Sequence, residues 1–509
     1  MGRLSKGIRV GDNPQFLYQD RDDCIANTGR PERFARITIN TLPEDVLLEI
    51  FDFYLDVSQW SPLVQYEDLW HTLVHVCRRW RCVVTSSPRR LNIRLLCTEK
   101  RPVKGNVWPD LPIAINAQIP KSQRSRSRGT NIIIAALKHQ HNRVCEITIW
   151  NIPNSLLKEF AAIKTPFPAL THLTLHSTCD SAPVLPDSFL EGSAPRLRSL
   201  LLQGIRFPAL GKLHLSSCDL AVLSLHNIPH SGYIPPDALV SSLSGLTRLQ
   251  NLILSFRSPR SRALRERRAP PSLTRVVFPI LSNLSFTGDS EYLEDMLSRM
   301  ETPIVNVHVK IIFFNQLVFD TPLRLLRDLI NRAETFEAPH RAEIYFSRYR
   351  VHFALFSNHG QAESEPLTLA ISCRPSDWQL SSLAQVIGSS IPPLPTLERL
   401  ELRDDHYFPQ YWQDDIENAQ WLEILRPFTS VKDLVLSGQL VQLVAPALGE
   451  PIGERATEEL PVLQNIFVER VLPSGSLRWQ KEIGQFITAR QISGRPVAVH
   501  YPVNIVGGT

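Results

Sequence analysis

Apolar residues recur along this chain in two rhythms. The first is helical. The segment LPEDVLLEIFDFYL, Leu42 to Leu55, places Val46, Leu47, Ile50, Phe51 and Tyr54 on one stripe. Pro43, with a fixed φ and no N–H, suits a first helical turn, and Glu44 and Asp45 suit the positive end of the helix dipole. From Asp68 to Val84, Leu69, Leu73, Val76, Trp80 and Val83 follow at four-three-four-three spacing, which predicts a second helix. A small helical module has too little interior for so many apolar side chains. Some of Leu42, Pro43, Leu47, Ile50 and Phe51 are therefore expected to stay exposed until a partner covers them. A stripe that merely fills a core has the same pattern.

The second rhythm begins near Val144 and has the form apolar-x-x-apolar-x-apolar. It occurs as Val144, Ile147, Ile149; Leu170, Leu173, Leu175; Leu197, Leu200, Leu202; Leu210, Leu213, Leu215; and Leu220, Leu223, Leu225. It returns as Leu249, Leu252, Leu254; Leu281, Leu284, Phe286; Ile304, Val307, Val309; Leu397, Leu400, Leu402; Val431, Leu434, Leu436; and Leu463, Ile466, Val468. Residues two apart in a strand share a face, so the last two apolar residues of each unit point into a core. The residue between them points out. These outward residues are Thr174, Leu201, His214, Ser224, Ile253, Glu401 and Val435, a candidate substrate face of mixed character.

Amphipathic helices are expected between units, in SLLKEFAAI, SEYLEDMLSRM, PLRLLRDLI, DWQLSSLAQVI and NAQWLEIL. Strand and helix in alternation predict parallel strands backed by helices in an α/β solenoid. Between Ile312 and Leu394 the rhythm fades, although VHFALF and LTLAI still read as strands, so an interruption is expected there. The expected organisation is a polar tail over 1–36, a helical module over 37–97, a connector over 98–143 and a repeat domain over 144–509. The connector rests on Pro102, Pro109 and Pro112 and the basic run KSQRSRSRG.

Composition narrows the function classes. A 509-residue chain exceeds one comfortable core, consistent with several domains or an array. A net charge of +5 on this length is too small to point to nucleic acid. The segment RSPRSRALRERR, 257–268, reads as a solvated loop that could also serve an acidic partner or nuclear import. No stretch is apolar for long enough to span a membrane. Met1-Gly2 is followed by Lys6 where myristoylation wants Ser or Thr. Eight scattered cysteines, none in C-x-x-C spacing, suit a reducing compartment, so a cytoplasmic or nuclear location is expected.

No phosphate-binding glycine loop, nucleophile elbow or H-E-x-x-H motif occurs. His71 and His75 read as a helix-face pair, Asp404, Asp405 and His406 as a solvated turn, Asp414 and Asp415 as a helix start, and Cys145 lacks a fixed base. No enzyme activity, cofactor or metal is expected.

The order Leu-Pro, apolar helix, loop, then LVHVCRRW resembles the F-box family, with a longer loop, DVSQWSPLVQYE, than its usual form. The repeating units resemble leucine-rich repeats in an irregular form, with only Cys218 at the usual Asn or Cys position. Together with SPRRLNIRL, FPALTHLTL and SGYIPPDAL, the whole chain resembles the large F-box families of mushroom-forming fungi. The resemblance implies a substrate receptor of an SCF-type ubiquitin ligase. Its adaptor-binding residues would be Leu42, Pro43, Val46, Leu47, Ile50, Phe51, Val76, Cys77 and Trp80. It would dock a Skp-type adaptor, reach a cullin–RING ligase through it, and recruit a protein substrate through the repeats. The alternative is a repeat scaffold acting outside any ligase.

Overall fold

The computed structural model describes residues 39–57, 69–88, 90–103, 111–120, 128–163, 165–178, 183–185, 189, 194–208, 210, 219–259, 275–301, 308–314, 338–359, 362–373, 376–405, 418–437, 439–449, 460–469 and 478–501. The chain divides after Leu91 into two compact units.

Among its described residues the first unit has three α-helices, α1 (Glu44–Val57), α2 (Leu69–Val76) and α3 (Arg78–Ser86). The helical stretch read over 68–84 is divided at Cys77, whose backbone is extended, with φ −156° and ψ 170°. Its Sγ accepts the Trp80 N–H at 3.4 Å, so Cys77 caps α3 where serine or aspartate is usual. At the same break, the Arg81 Nε donates to the Val74 carbonyl at 2.9 Å and satisfies one of the last acceptors of α2. Leu47, Leu48, Phe51, Leu73, Val74, Val83 and Val84 are buried in this unit, and Phe51 meets Trp80 with ring centroids 4.7 Å apart.

The second unit is mixed α/β. Its strands are β1 (Leu95–Cys97), β2 (Ile113–Gln118), β3 (Val144–Trp150), β4 (His172–His176), β5 (Ser199–Gln203), β6 (Val222–Ile228), β7 (Asn251–Phe256), β8 (Val276–Val277) and β9 (Asn283–Gly288). They continue as β10 (Met300–Glu301), β11 (His308–Phe314), β12 (Arg341–Ser347), β13 (Arg350–His359), β14 (Ala362–Ser372), β15 (Arg399–Asp404), β16 (Asp433–Ser437), β17 (Asn465–Glu469) and β18 (Ala498–His500). Sixteen of these form one sheet, and β8 pairs only with β10. The sheet begins before 144: β1 and β2 lie in stretches read as module end and connector. The prolines that suggested a connector flank β2 without entering it, and IAINAQ alternates buried and outward residues.

From β2 to β11 the strands of the large sheet pair in parallel and in chain order. At the start of successive strands one backbone hydrogen bond repeats at 2.8 Å: Thr171 donates to Cys145, Arg198 to Thr171, Ala221 to Arg198, Gln250 to Ala221, Ser282 to Gln250 and His308 to Ser282. In register, Ile147, Leu173, Leu200, Leu223, Leu252 and Leu284 form one buried row. Val309 continues it, so Val309 and Ile311 occupy the inward pair assigned from sequence to Val307 and Val309; Val307 lies outside the described residues.

The expected interruption is an inversion. The chain runs β12, β13, β14 as an antiparallel meander, but β14 pairs with β11 and β12 pairs with β15. The meander is thus laid into the sheet in reverse order, and among the described strands of the sheet β13 alone runs against the rest. Parallel pairing then resumes from β15 to β18.

One core lies on one face of this sheet. Into it go Leu137 of α4 (Arg128–His139), Leu157 of α5 (Asn154–Ala161), Leu239 of α6 (Pro236–Leu243) and Leu293 of α7 (Ser290–Ser298). Leu383 of α8 (Ser376–Ser390), Trp421 of α9 (Asn418–Leu425), Val444 of α10 (Leu440–Gly449) and Ile483 of α11 (Arg478–Ile492) complete it. The helix expected at PLRLLRDLI lies outside the described residues.

Candidate functional site

The first candidate surface belongs to α1. Its apolar stripe divides into two faces one residue apart. Leu47 and Phe51 turn inward and are fully buried. Val46, Ile50 and Phe53, at i, i+4 and i+7, turn outward, with Phe53 73% exposed and Ile50 40% exposed. Pro43 and Val76 are also exposed, while Leu42, Cys77 and Trp80 are half-buried. Leu47 and Phe51 are therefore corrected from docking residues to core residues. They are needed inside because the three short helices have little else to bury, and Phe51 fills the space against Trp80. Phe53 was missed. Its spacing from Val46 and Ile50 was the signal, since a seven-residue step returns to the same face.

The approach of the chain to α1 is fixed by polar contacts. The Arg79 guanidinium donates to the Leu42 carbonyl, and Arg90 pairs with Glu49. The Leu47 N–H closes the first turn on the Pro43 carbonyl at 3.1 Å. Pro43 is thereby held at the N-terminal end of the exposed stripe.

The second candidate surface is the sheet face that points away from the core. Thr174, Leu201, Ser224 and Ile253 are consecutive partners across β4, β5, β6 and β7, and Glu401 pairs with Val435 across β15 and β16. His214 lies outside the described residues. Thr174, Leu201 and Ile253 are half-buried and line this face. Ser224, Glu401 and Val435 point outward yet are buried, which removes them as accessible surface.

Neighbouring side chains explain the last two. Glu401 is 3% exposed because three guanidinium groups surround it: Arg399 at 2.7 Å, Arg341 at 3.1 Å and Arg403 at 3.1 Å. Arg403 also reaches Glu469 at 3.1 Å. The Arg399 guanidinium approaches the Phe467 ring to 5.9 Å, crossing β16 and closing over Val435. A single-sequence reading sees Glu401 and Val435 at outward positions but not the arginines that cover them.

Elsewhere on this face side-chain amides link strands. Asn283 donates to Asn251 at 2.6 Å and Asn465 to Asp433 at 2.8 Å. Trp150 lies against His176, ring centroids 5.1 Å apart.

The remaining residues considered from sequence that are described do not come together in one site. Cys145 donates its thiol to the Ile113 carbonyl at 3.5 Å, and burial pushes its pKa up, with Arg94 opposing and Glu146 adding to the rise. Asp404 is buried and accepts from the Ser437 hydroxyl. His406, Asp414, Asp415 and most of 257–268 lie outside the described residues. Among the described residues no three His, Cys, Asp or Glu side chains gather as a metal centre would need, and no helix is long and apolar enough to cross a membrane. No protein-family model matches the chain, and no curated protein matches it in sequence.

Proposed function

We propose that this chain is the substrate receptor of an SCF-type ubiquitin ligase, with an F-box-like helical unit that docks a Skp-type adaptor and a leucine-rich-repeat-like sheet that recruits a target protein. The observation that carries this reading is the outward face of α1. A helix in a small unit that already buries Leu47 and Phe51 gains nothing for folding from Val46, Ile50 and Phe53 in water. Such a contiguous apolar face beside an exposed proline suits a protein partner. Pro43, Val46, Ile50 and Phe53 are the docking residues on this reading, with Val76 at its margin. Target recruitment is assigned to the open face of the sheet, through Thr174, Leu201 and Ile253. Ubiquitin transfer belongs to the ligase partners, and this chain contributes binding alone.

The experiment is co-purification of the full chain with a Skp-type adaptor, beside the triple variant Val46→Ser, Ile50→Ser, Phe53→Ser. The wild-type chain is expected to retain the adaptor and the variant to lose it, with the helical content of both unchanged. A folded wild-type chain that retains no adaptor would leave a scaffold acting outside a ligase.

A further inference from the structure

We propose that the outward face of β11, β14 and β13 holds an anionic group carried by an acidic protein segment, with Lys310 and Arg350 as its counter-charges. This deepens the receptor reading, and it rests on that reading only for the source of the anion.

The placement comes from register. On β14, Thr368 and Ala370 are flanked on one side by Lys310 and Ile312 of β11. On the other side Ala370 pairs with His352 of β13, and Ser372 pairs with Arg350. The middle strand thus presents short side chains between banks that carry cations. Lys310, level with Thr368, and Arg350, level with Ser372, lie about 9.6 Å apart across the sheet and roughly 13 Å apart along it, about 16 Å in all. Extended toward each other over Ala370, the two long side chains can reach one phosphoryl or carboxylate group between them.

Among the described residues these two charges have no acidic partner. A few strands away, Arg341, Arg399 and Arg403 each touch Glu401. Among the described residues Lys310 and Arg350 touch no carboxylate; Glu343, the acid of this row on β12, lies 3.6 Å from Arg341 instead. Their fields meet at His352. Its pKa is lowered to about 4, first by burial, then by Arg350 and by Lys310. Tyr345 of β12 stands on its other side, with ring centroids 6.3 Å apart. Burial is the larger cause, and the smaller share from the two cations has the sign that favours an anion beside them. The Ser372 hydroxyl supplies a donor to such a group.

The test uses the full chain and three fluorescein-labelled peptides of one flexible sequence, bearing phosphoserine, a run of glutamates, or plain serine. Anisotropy is read at low ionic strength, where surface charge is least screened. One or both anionic peptides are expected to bind above the serine peptide. Lys310→Gln and Arg350→Gln should each weaken that binding about tenfold, the loss of one charge-assisted contact. Arg257→Gln, an exposed cation elsewhere, should leave it unchanged. Binding of phosphoserine alone assigns a phosphorylated partner, and binding of both assigns a carboxylate-rich one. Anionic peptides that bind no better than serine, or an equal effect of all three variants, would overturn the site. Adaptor retention is scored in parallel. Its persistence without anion binding sinks this site alone, and its loss with anion binding intact sinks the receptor reading alone.

Discussion

Phe51 and Phe53 stand two residues apart on α1 and should behave as opposites. Phe51 is fully buried against Trp80 at 4.7 Å, so Phe51→Ala removes a ring from a close-packed site and leaves a cavity. Such truncations cost about 3–5 kcal/mol. A unit of this size, at about 0.1 kcal/mol per residue, has roughly that much stability in total. Phe51→Ala is therefore expected to unfold the helical unit, while the sheet, with its own core, stays folded. Phe53 is 73% exposed, so Phe53→Ser should change stability by less than about 0.5 kcal/mol. A whole-chain melt would average over two units, so the assay is amide hydrogen exchange read by mass spectrometry across 44–57. Rapid exchange in Phe51→Ala beside wild-type protection in Phe53→Ser is the expected result. Adaptor retention separates the pair a second time: Phe53→Ser should weaken it without loosening α1. Protection that survives Phe51→Ala, or collapses in Phe53→Ser, would refute the division of the stripe.

Three further outcomes follow from local geometry. Cys77→Ser replaces a weak thiol acceptor at the N-cap of α3 with a hydroxyl and should stabilise the helical unit by about 0.5–1 kcal/mol, read as slower exchange over 78–86. Gly204 has φ +67°, and a Cβ there would lie 2.5 Å from the Ser177 carbonyl oxygen; Gly494 has φ +71° with open space around it. Gly204→Ala should therefore cost about 2–3 kcal/mol in urea unfolding and Gly494→Ala only about 1 kcal/mol, and equal costs would show that the close approach is absent. Because the folded pKa of His352 is depressed to about 4, the unfolded chain takes up its proton first as pH falls below 6.5. Stability should decline between pH 6.5 and 4, and His352→Gln should remove that part of the slope.

The sheet was legible where local pattern and pairing coincide. Leu173 with Leu175 and Leu200 with Leu202 announce strands through a two-residue period, and an intervening helix or long loop makes parallel pairing the economical choice. β2 was not legible, because Pro109 and Pro112 stand just before it and signal a loop, which masks the short alternation of Ile113, Ile115 and Ala117. On α1 the apolar period could not tell Val46 from Leu47. Adjacent residues differ by 100° on the helix, and which side faces α3 is decided by packing. The burial of Glu401 needed arginines from β12 and from both sides of its own position on β15, a cluster that only the register assembles.

The inverted meander was illegible for a deeper reason, and it is also what makes the basic face. Antiparallel and parallel strands share the same two-residue alternation, so Val351, Phe353 and Leu355 read as strand without revealing its direction. Had β12 followed β11 directly, in the order that holds from β2 to β11, the outward row would set Lys310 beside Glu343, and the two charges would cancel. The reversed order instead places Thr368 and Ala354 between them. Three strand spacings, about 14 Å, exceed the screening length of about 8 Å at physiological ionic strength. Lys310 is thus separated from that acid, and Arg350, some forty residues later in the chain, shares its face two strands across and four residues along. The charge of this face is a product of topology, which is why neither residue stands out in a sequence whose bulk charge is nearly balanced.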